Sequence, residues 1–152
     1  MQIQPAMKKN PGFTLIELLI VISIIATLSV VGLVSYTNFM KNSRDARRQS
    51  DLKFIQSALE DYHADNLYYP FTVTPGSPLS SGTKTYMTKV PNDPLVGNHD
   101  YSYEASGSNC AASTPQNCTS YCLSAAMEGT NTPENDPGCT PAADRNYVVT
   151  RP

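Results

Sequence analysis

Glu17 is the only ionisable residue in the run FTLIELLIVISIIATLSVVGLV, residues 13–34. A carboxylate carried into a bilayer costs a few kcal/mol, roughly 2.5 to 3.5 at a helix centre. It is therefore expected to have a task and a cationic partner. One turn into a helix it could instead reach back to the headgroups. Four cysteines, Cys110, Cys118, Cys122 and Cys139, lie in the last third of the chain. An even count in a small exported domain implies two disulfides, with three connectivities open. Pairing nearest neighbours, Cys110 with Cys118 and Cys122 with Cys139, closes the loops with least difficulty, but the sequence leaves the choice open. The intervening spacings of 7, 3 and 16 residues lack the paired C-x-x-C units of a zinc site. The segment PNDPLVGNHD, residues 91–100, gathers Asn92, Asp93, Asn98 and Asp100. Such oxygen donors suit Ca²⁺. Beside two prolines they equally suit Asx turns, and their spacing fits no EF-hand.

Catalytic chemistry finds little footing. His63 and His99 are the only histidines, the first expected on a solvated helix face and the second in a turn. No serine sits in a nucleophile elbow and no glycine-rich phosphate loop follows a strand. Four paired cysteines leave no thiol for nucleophilic work. The sequence predicts neither an enzyme nor a bound cofactor, apart from the calcium option at 91–100. Asn117-Cys118-Thr119 matches the N-glycosylation pattern, though pairing of Cys118 would crowd it. The formal net charge of −2 supplies no basic field, so nucleic acid is not indicated as the main partner.

The elements that carry these residues follow from patterning. The 22-residue apolar run matches the roughly 20 residues a helix needs to cross a hydrocarbon core. From Tyr36 to Asn66 no proline or glycine interrupts the helix. Leu52, Ile55, Leu59 and Tyr62 make an apolar stripe, with Lys53, Gln56, Glu60 and His63 on other faces. Arg44 and Arg48, four residues apart, are expected to repel, while Arg47 pairs with Asp51. With Lys41 these arginines form a basic cluster suited to the outer membrane interface, anionic headgroups, DNA, or contacts between packed subunits. Tyr68-Tyr69-Pro70 should close the helix, because a residue before proline leaves helical geometry. Ten of the 12 prolines and six of the 8 glycines follow residue 69, which marks a loop-rich C-terminal half. Residues 70–85 read as a connecting loop. Strands are predicted over 99–104, 121–127 and 146–150. The fold class is α+β, a long helix packed on a small antiparallel sheet with disulfide-stapled loops.

Lys8-Lys9-Asn10-Pro11-Gly12 followed by Phe13-Thr14-Leu15-Ile16-Glu17 resembles the prepilin signal of type IV pilins and of type II secretion pseudopilins. A secretory signal peptide has its small-residue cleavage site after a shorter apolar core; here Gly12 precedes the apolar run. The resemblance implies a prepilin peptidase that cuts after Gly12 and methylates Phe13. It makes Glu17 the acidic residue at the fifth mature position, paired with the new amine of a neighbouring subunit. Two softer likenesses follow, the stripe-bearing helix ending in Asn66-Leu67-Tyr68-Tyr69-Pro70, and Val90-Pro91-Asn92-Asp93-Pro94 with Tyr101-Ser102-Tyr103. Major pseudopilins of this kind bind calcium in their C-terminal loops. Two features depart from the pattern: Val30 to Tyr36 lacks a proline, leaving only Gly32 to loosen the helix, and the C-terminus bears cysteines that major pseudopilins lack.

The expected organisation is a leader at 1–12, a transmembrane or filament-core helix at 13–35, an amphipathic helix at 36–69 and a globular sheet domain at 70–152. Removing Lys8 and Lys9 with the leader makes the mature side-chain charge −4. A positive-inside count, two lysines before the helix against Lys41, Arg44, Arg47 and Arg48 after it, favours the opposite orientation. The cleavage motif carries its own orientation, with the leader cytoplasmic, and takes precedence. The implied function is a pilin that polymerises into a surface filament, with the prepilin peptidase, an inner-membrane assembly machinery and copies of itself as partners. It would reside in the cytoplasmic membrane before assembly. A type II secretion pseudopilin is the neighbouring alternative. A single-pass membrane protein with a ligand-binding or enzymatic ectodomain is the alternative of another class.

Overall fold

A computed structural model describes residues 12–95, 97, 100–129, 139 and 145–151. Its first element, α1, spans Leu15–Asn66, 52 residues. The chain divides after Phe39 into two units that pack within themselves. In the first, α1 runs helically through Gly32, so the missing proline leaves no break. Its described apolar side chains between Phe13 and Phe39 are exposed. By length and composition this stretch can cross a membrane. Three of its hydroxyls are satisfied within the helix, Ser23 donating to the Ile20 carbonyl at 2.7 Å, Thr27 to Ile24 at 2.8 Å and Ser29 to Ile25 at 2.7 Å. That back-bonding spares an apolar solvent any unmatched donor.

The second unit is built on the rest of α1. Leu52, Ile55, Leu59 and Tyr62 are buried in its core with Tyr69, Leu79, Val90, Tyr101, Tyr121 and Leu123. The buried stripe extends further back, to Arg48 and Asp45. Alternating steps of three and four residues, 45, 48, 52, 55, 59 and 62, keep one face turned inward. The helix stops at Asn66, ahead of the Tyr69-Pro70 pair. Leu67 adopts φ 65° and its N–H donates to the His63 carbonyl at 2.8 Å, an αL cap made without glycine.

Segment 70–85 is not all loop. Strands β1 (Leu79–Ser81) and β2 (Lys84–Met87) form an antiparallel hairpin, with Ser81 opposite Lys84 across Gly82-Thr83. Gly82 takes φ 56°, as the first position of a two-residue hairpin loop requires. The surrounding Pro, Ser and Thr hid that local signal. A second sheet holds β3 (Ser102–Ser106), β4 (Ser120–Ala125) and β5 (Tyr147–Thr150) in the order β3-β4-β5, all antiparallel. The predicted strands lie within a few residues of these, and His99 falls outside the described residues. The fold is thus α+β, with two small sheets rather than one.

Central β4 is buried on both faces. Tyr121, Leu123 and Ala125 join the helix stripe, whereas Cys122 packs with Cys139 and Val148. Disulfides join Cys110 to Cys118 and Cys122 to Cys139, with Cα separations of 4.7 and 5.4 Å. Near the first of them the backbone closes tightly. A Cβ on Gly107 would collide with the Asn117 carbonyl oxygen and crowd the Thr119 nitrogen. Both neighbours are main chain and cannot swing aside. Gly107→Ala is expected to lower stability by about 1 to 3 kcal/mol, read as a shift in the urea midpoint. An unchanged midpoint would show that the loop 107–119 relaxes freely.

Candidate assembly and processing site

Thr14 and Glu17 open α1 as a reciprocal cap. The Thr14 hydroxyl and backbone N–H both donate to the Glu17 carboxylate, at 2.7 and 2.9 Å, and the Glu17 N–H donates back to the Thr14 hydroxyl at 3.3 Å. This is the S/T-x-x-E capping box, which satisfies helix donors that have no partner inside the helix. The carboxylate also sits at the positive end of the helix dipole. Gly12 and Phe13 precede the first helical turn in non-helical backbone, and Phe13 is 83 % exposed. The scissile bond implied by the resemblance therefore lies in an accessible segment against a pre-formed helix start. Lys8 to Pro11 lie outside the described residues. Thr14, the capping partner of Glu17, was not singled out from the sequence pattern. Its signal was plain, a threonine three residues before the glutamate at the head of an apolar run.

The second unit contains an ionic cluster that the sequence reading misjudged. Arg48 has a fully buried side chain and forks onto Asp93, Nε to Oδ2 at 2.6 Å and Nη2 to Oδ1 at 3.1 Å. Its Nη1 reaches Asp45 at 2.7 Å and Glu128 at 3.0 Å. Arg44 donates twice to Glu128, at 2.6 Å each. The expected Arg44–Arg48 repulsion is overridden, because three carboxylates from separate segments face the two guanidiniums. The surplus negative charge meets backbone donors: Glu128 and Gly129 N–H point at Asp45, and Leu95 N–H at Asp93. Arg44 and Arg48 are therefore engaged as internal staples of the second unit. Of the expected helix pairs, Arg47–Asp51 is present at 3.8 Å.

The calcium option at 91–100 loses its main carboxylate to this cluster, since both Asp93 oxygens are engaged and the residue is buried. Asn98 lies outside the described residues. Among the described residues no group of three or more His, Cys, Asp or Glu could hold a metal ion. His63 is not simply solvated; its ring stacks on Tyr69, centroids 4.5 Å apart. Tyr69 and Tyr121 both donate their hydroxyls to Glu60 at about 3.0 Å, which ties the helix to β4.

Arg44, and after it Arg48, holds the Glu128 carboxyl at about 2, below its ordinary 4.5. A depressed folded pKa contributes stability that is present above the unfolded value and lost as pH falls through the folded one. The thermal midpoint is accordingly expected to fall as pH drops from about 4.5 towards 2, and Glu128→Gln should flatten that limb. An equally steep acid limb in Glu128→Gln would remove Glu128 from the explanation.

Residues 7–33, which contain Gly12, Phe13, Thr14 and Glu17, match the family model described as the prokaryotic N-terminal methylation motif. The type II secretion system core protein G of Dickeya chrysanthemi is 32 % identical over 101 residues, 57 % of this chain and 64 % of that protein. The protein of the same name from Vibrio cholerae is 31 % identical over 114 residues, 66 % of this chain and 75 % of its own length. The type IV major fimbrial protein FimA of Dichelobacter nodosus is 29 % identical over 150 residues, 91 % of this chain and 92 % of that one. The aligned region thus spans a little under two thirds of the Dickeya protein and nearly all of the Dichelobacter one. No solved structure matches.

Proposed function

Because the chain belongs to the family of type IV pilins and type II secretion pseudopilins, we propose that it is a filament subunit, cut after Gly12 and polymerised through α1. The observation that carries this reading is the capped helix start within the methylation motif. There an exposed Phe13 precedes Glu17, and an apolar helix follows whose described side chains are exposed. Cleavage would free an amine on Phe13, and the Glu17 carboxylate supplies its counter-charge on a neighbouring copy. Before assembly the helix rests in the cytoplasmic membrane with the leader inside. Afterwards the apolar side chains form the filament interior and the stapled sheet domain its exterior. The partners in this sequence of events are a prepilin peptidase, an inner-membrane assembly machinery and further copies of the chain.

The surface pilus is favoured over the secretion pseudopilin by extent of likeness. The match to the fimbrial protein runs over 91 % of this chain, whereas those to the Dickeya and Vibrio core proteins G cover 57 and 66 %. The cysteine-bearing C-terminus points the same way.

Sequencing and mass analysis of the mature N-terminus test the proposal. Methylated Phe13 is the expected first residue. An intact leader, or a cut beyond Val34, would overturn it and favour a simple anchored ectodomain. Electron microscopy of sheared surface material then distinguishes the two filaments, since surface fibres containing this chain at its native level are expected only of a pilus subunit.

A further inference from the structure

The four basic residues at 41–48 divide into two kinds. Arg44 and Arg48 are consumed by internal acids, whereas Lys41 and Arg47 are exposed, the Arg47 side chain to 66 %. Among the described residues the one ion-pair partner of Arg47, Asp51, stands 3.8 Å away, beyond hydrogen-bond distance, and already accepts the Tyr101 hydroxyl at 2.8 Å. Arg47 lines a cleft of about 490 Å³ with Lys89, Pro91, Asn92, Asp93 and Pro94. Lys89 is exposed and forms no salt bridge among the described residues. Asp93, on the cleft wall, has its charge offset by Arg48. The cleft thus presents two cations, one from the helix and one from the loop, beside the carboxamide of Asn92.

We propose that this cleft binds a phosphate-bearing ligand. A guanidinium fork matches phosphate oxygens in pairs, an ammonium adds a mobile point charge, and an amide N–H supplies a neutral donor. The volume exceeds what a bare phosphate fills and falls in the range of small-ligand sites, so a phosphate ester fits the space. Two prolines fix φ on the loop side. The Arg48–Asp93 fork holds that wall against α1, so little ordering is needed on binding. The ligand chemistry is shared by a phospholipid headgroup and a soluble phosphate ester, and the proposal stands independently of the filament reading.

Full-length protein in neutral maltoside micelles can be titrated calorimetrically with inorganic phosphate at low ionic strength, then again in micelles doped with phosphatidylglycerol. A single saturable site is expected. The double variant Arg47→Ala/Lys89→Ala should weaken it about tenfold or more, while Lys53→Ala, an exposed lysine elsewhere on α1, leaves it unchanged. Both replaced side chains are exposed, so circular dichroism and the thermal midpoint should match the unmodified protein. Lys89→Glu alone, which reverses one charge, should also abolish the heat. Displacement of phosphate by the doped lipid in the unmodified protein only would identify a headgroup as the source. Phosphate binding indifferent to the lipid would identify a soluble ester. No saturable heat with phosphate and no lipid dependence, or equal binding by the double variant, would overturn the proposal.

Discussion

Replacing Arg48 with alanine is expected to destabilise the globular unit by about 3 to 5 kcal/mol, the usual cost of leaving buried charges uncompensated. The removed guanidinium serves three carboxylates. Asp93 is 1 % exposed and would keep a charge with no counter-ion, and Asp45 would lose its nearest cation. Only Glu128 retains a cationic partner, in Arg44. A domain of this size holds about 5 to 15 kcal/mol in total, so the loss is a large share of what keeps it folded. Arg48→Lys should recover part of the loss, because a point charge can reach one carboxylate but cannot fork onto Asp93 while touching Asp45 and Glu128. Arg44→Ala should cost less, since its side chain is partly exposed and Arg48 still faces Glu128. Urea unfolding of all three variants provides the ranking. A loss below about 1 kcal/mol for Arg48→Ala would mean that water or relaxation compensates the acids, and the cluster would cease to explain how the loops at 91–95 and 127–129 are held.

Glu17→Ala should abolish filaments while leaving cleavage intact, with processed subunit accumulating in the membrane. The capping box gives this result a control that the charge-pairing idea otherwise lacks. Thr14→Ala breaks the reciprocal cap, at about 1 kcal/mol of helix stability, but leaves the carboxylate in place to meet an amine. Filaments at reduced yield are expected from it. Glu17→Gln keeps hydrogen-bonding capacity and removes charge, so it should behave like Glu17→Ala. If Thr14→Ala and Glu17→Ala fail alike while Glu17→Gln assembles, the glutamate acts only as a cap, and the pairing between subunits is wrong. Filaments at normal yield from Glu17→Ala would sink both roles. Immunoblots of membrane and sheared fractions, with mass analysis of the N-terminus, separate processing from assembly in each strain.

The two ends of α1 differ in how much of them could be read without coordinates. At the N-terminus the whole device lies within a few residues, and Thr14, three residues before Glu17, carries a local signal. Further along, Leu52, Ile55, Leu59 and Tyr62 were legible as a buried stripe because apolar types recur at helical spacing. Asp45 and Arg48 occupy the same spacing, yet their types argue for solvent, so the stripe was read as ending too soon. The hairpin at 79–87 was obscured in a similar way, its two-residue Gly-Thr turn lost among prolines and serines. Leu67 at φ 65° carried no sequence signal at all; a leucine there is tolerated because the αL cap satisfies the His63 carbonyl.

By itself the sequence determined the capped apolar helix, the position of its lone acid, the inward stripe, the even cysteine count and the α+β class. Each depends on residues within a few turns or a few strand lengths of one another. The tertiary structure alone decided which cation meets which acid. Arg48 lies 45 residues from Asp93 and 80 from Glu128, and no local rule couples charges over such separations. Only the folding of two segments, those carrying Asp93 and Glu128, onto one face of α1 set acids between two arginines expected to repel and made Arg48–Asp93 the most buried salt bridge among the described residues. The same folding left Arg47 facing a cleft with Lys89.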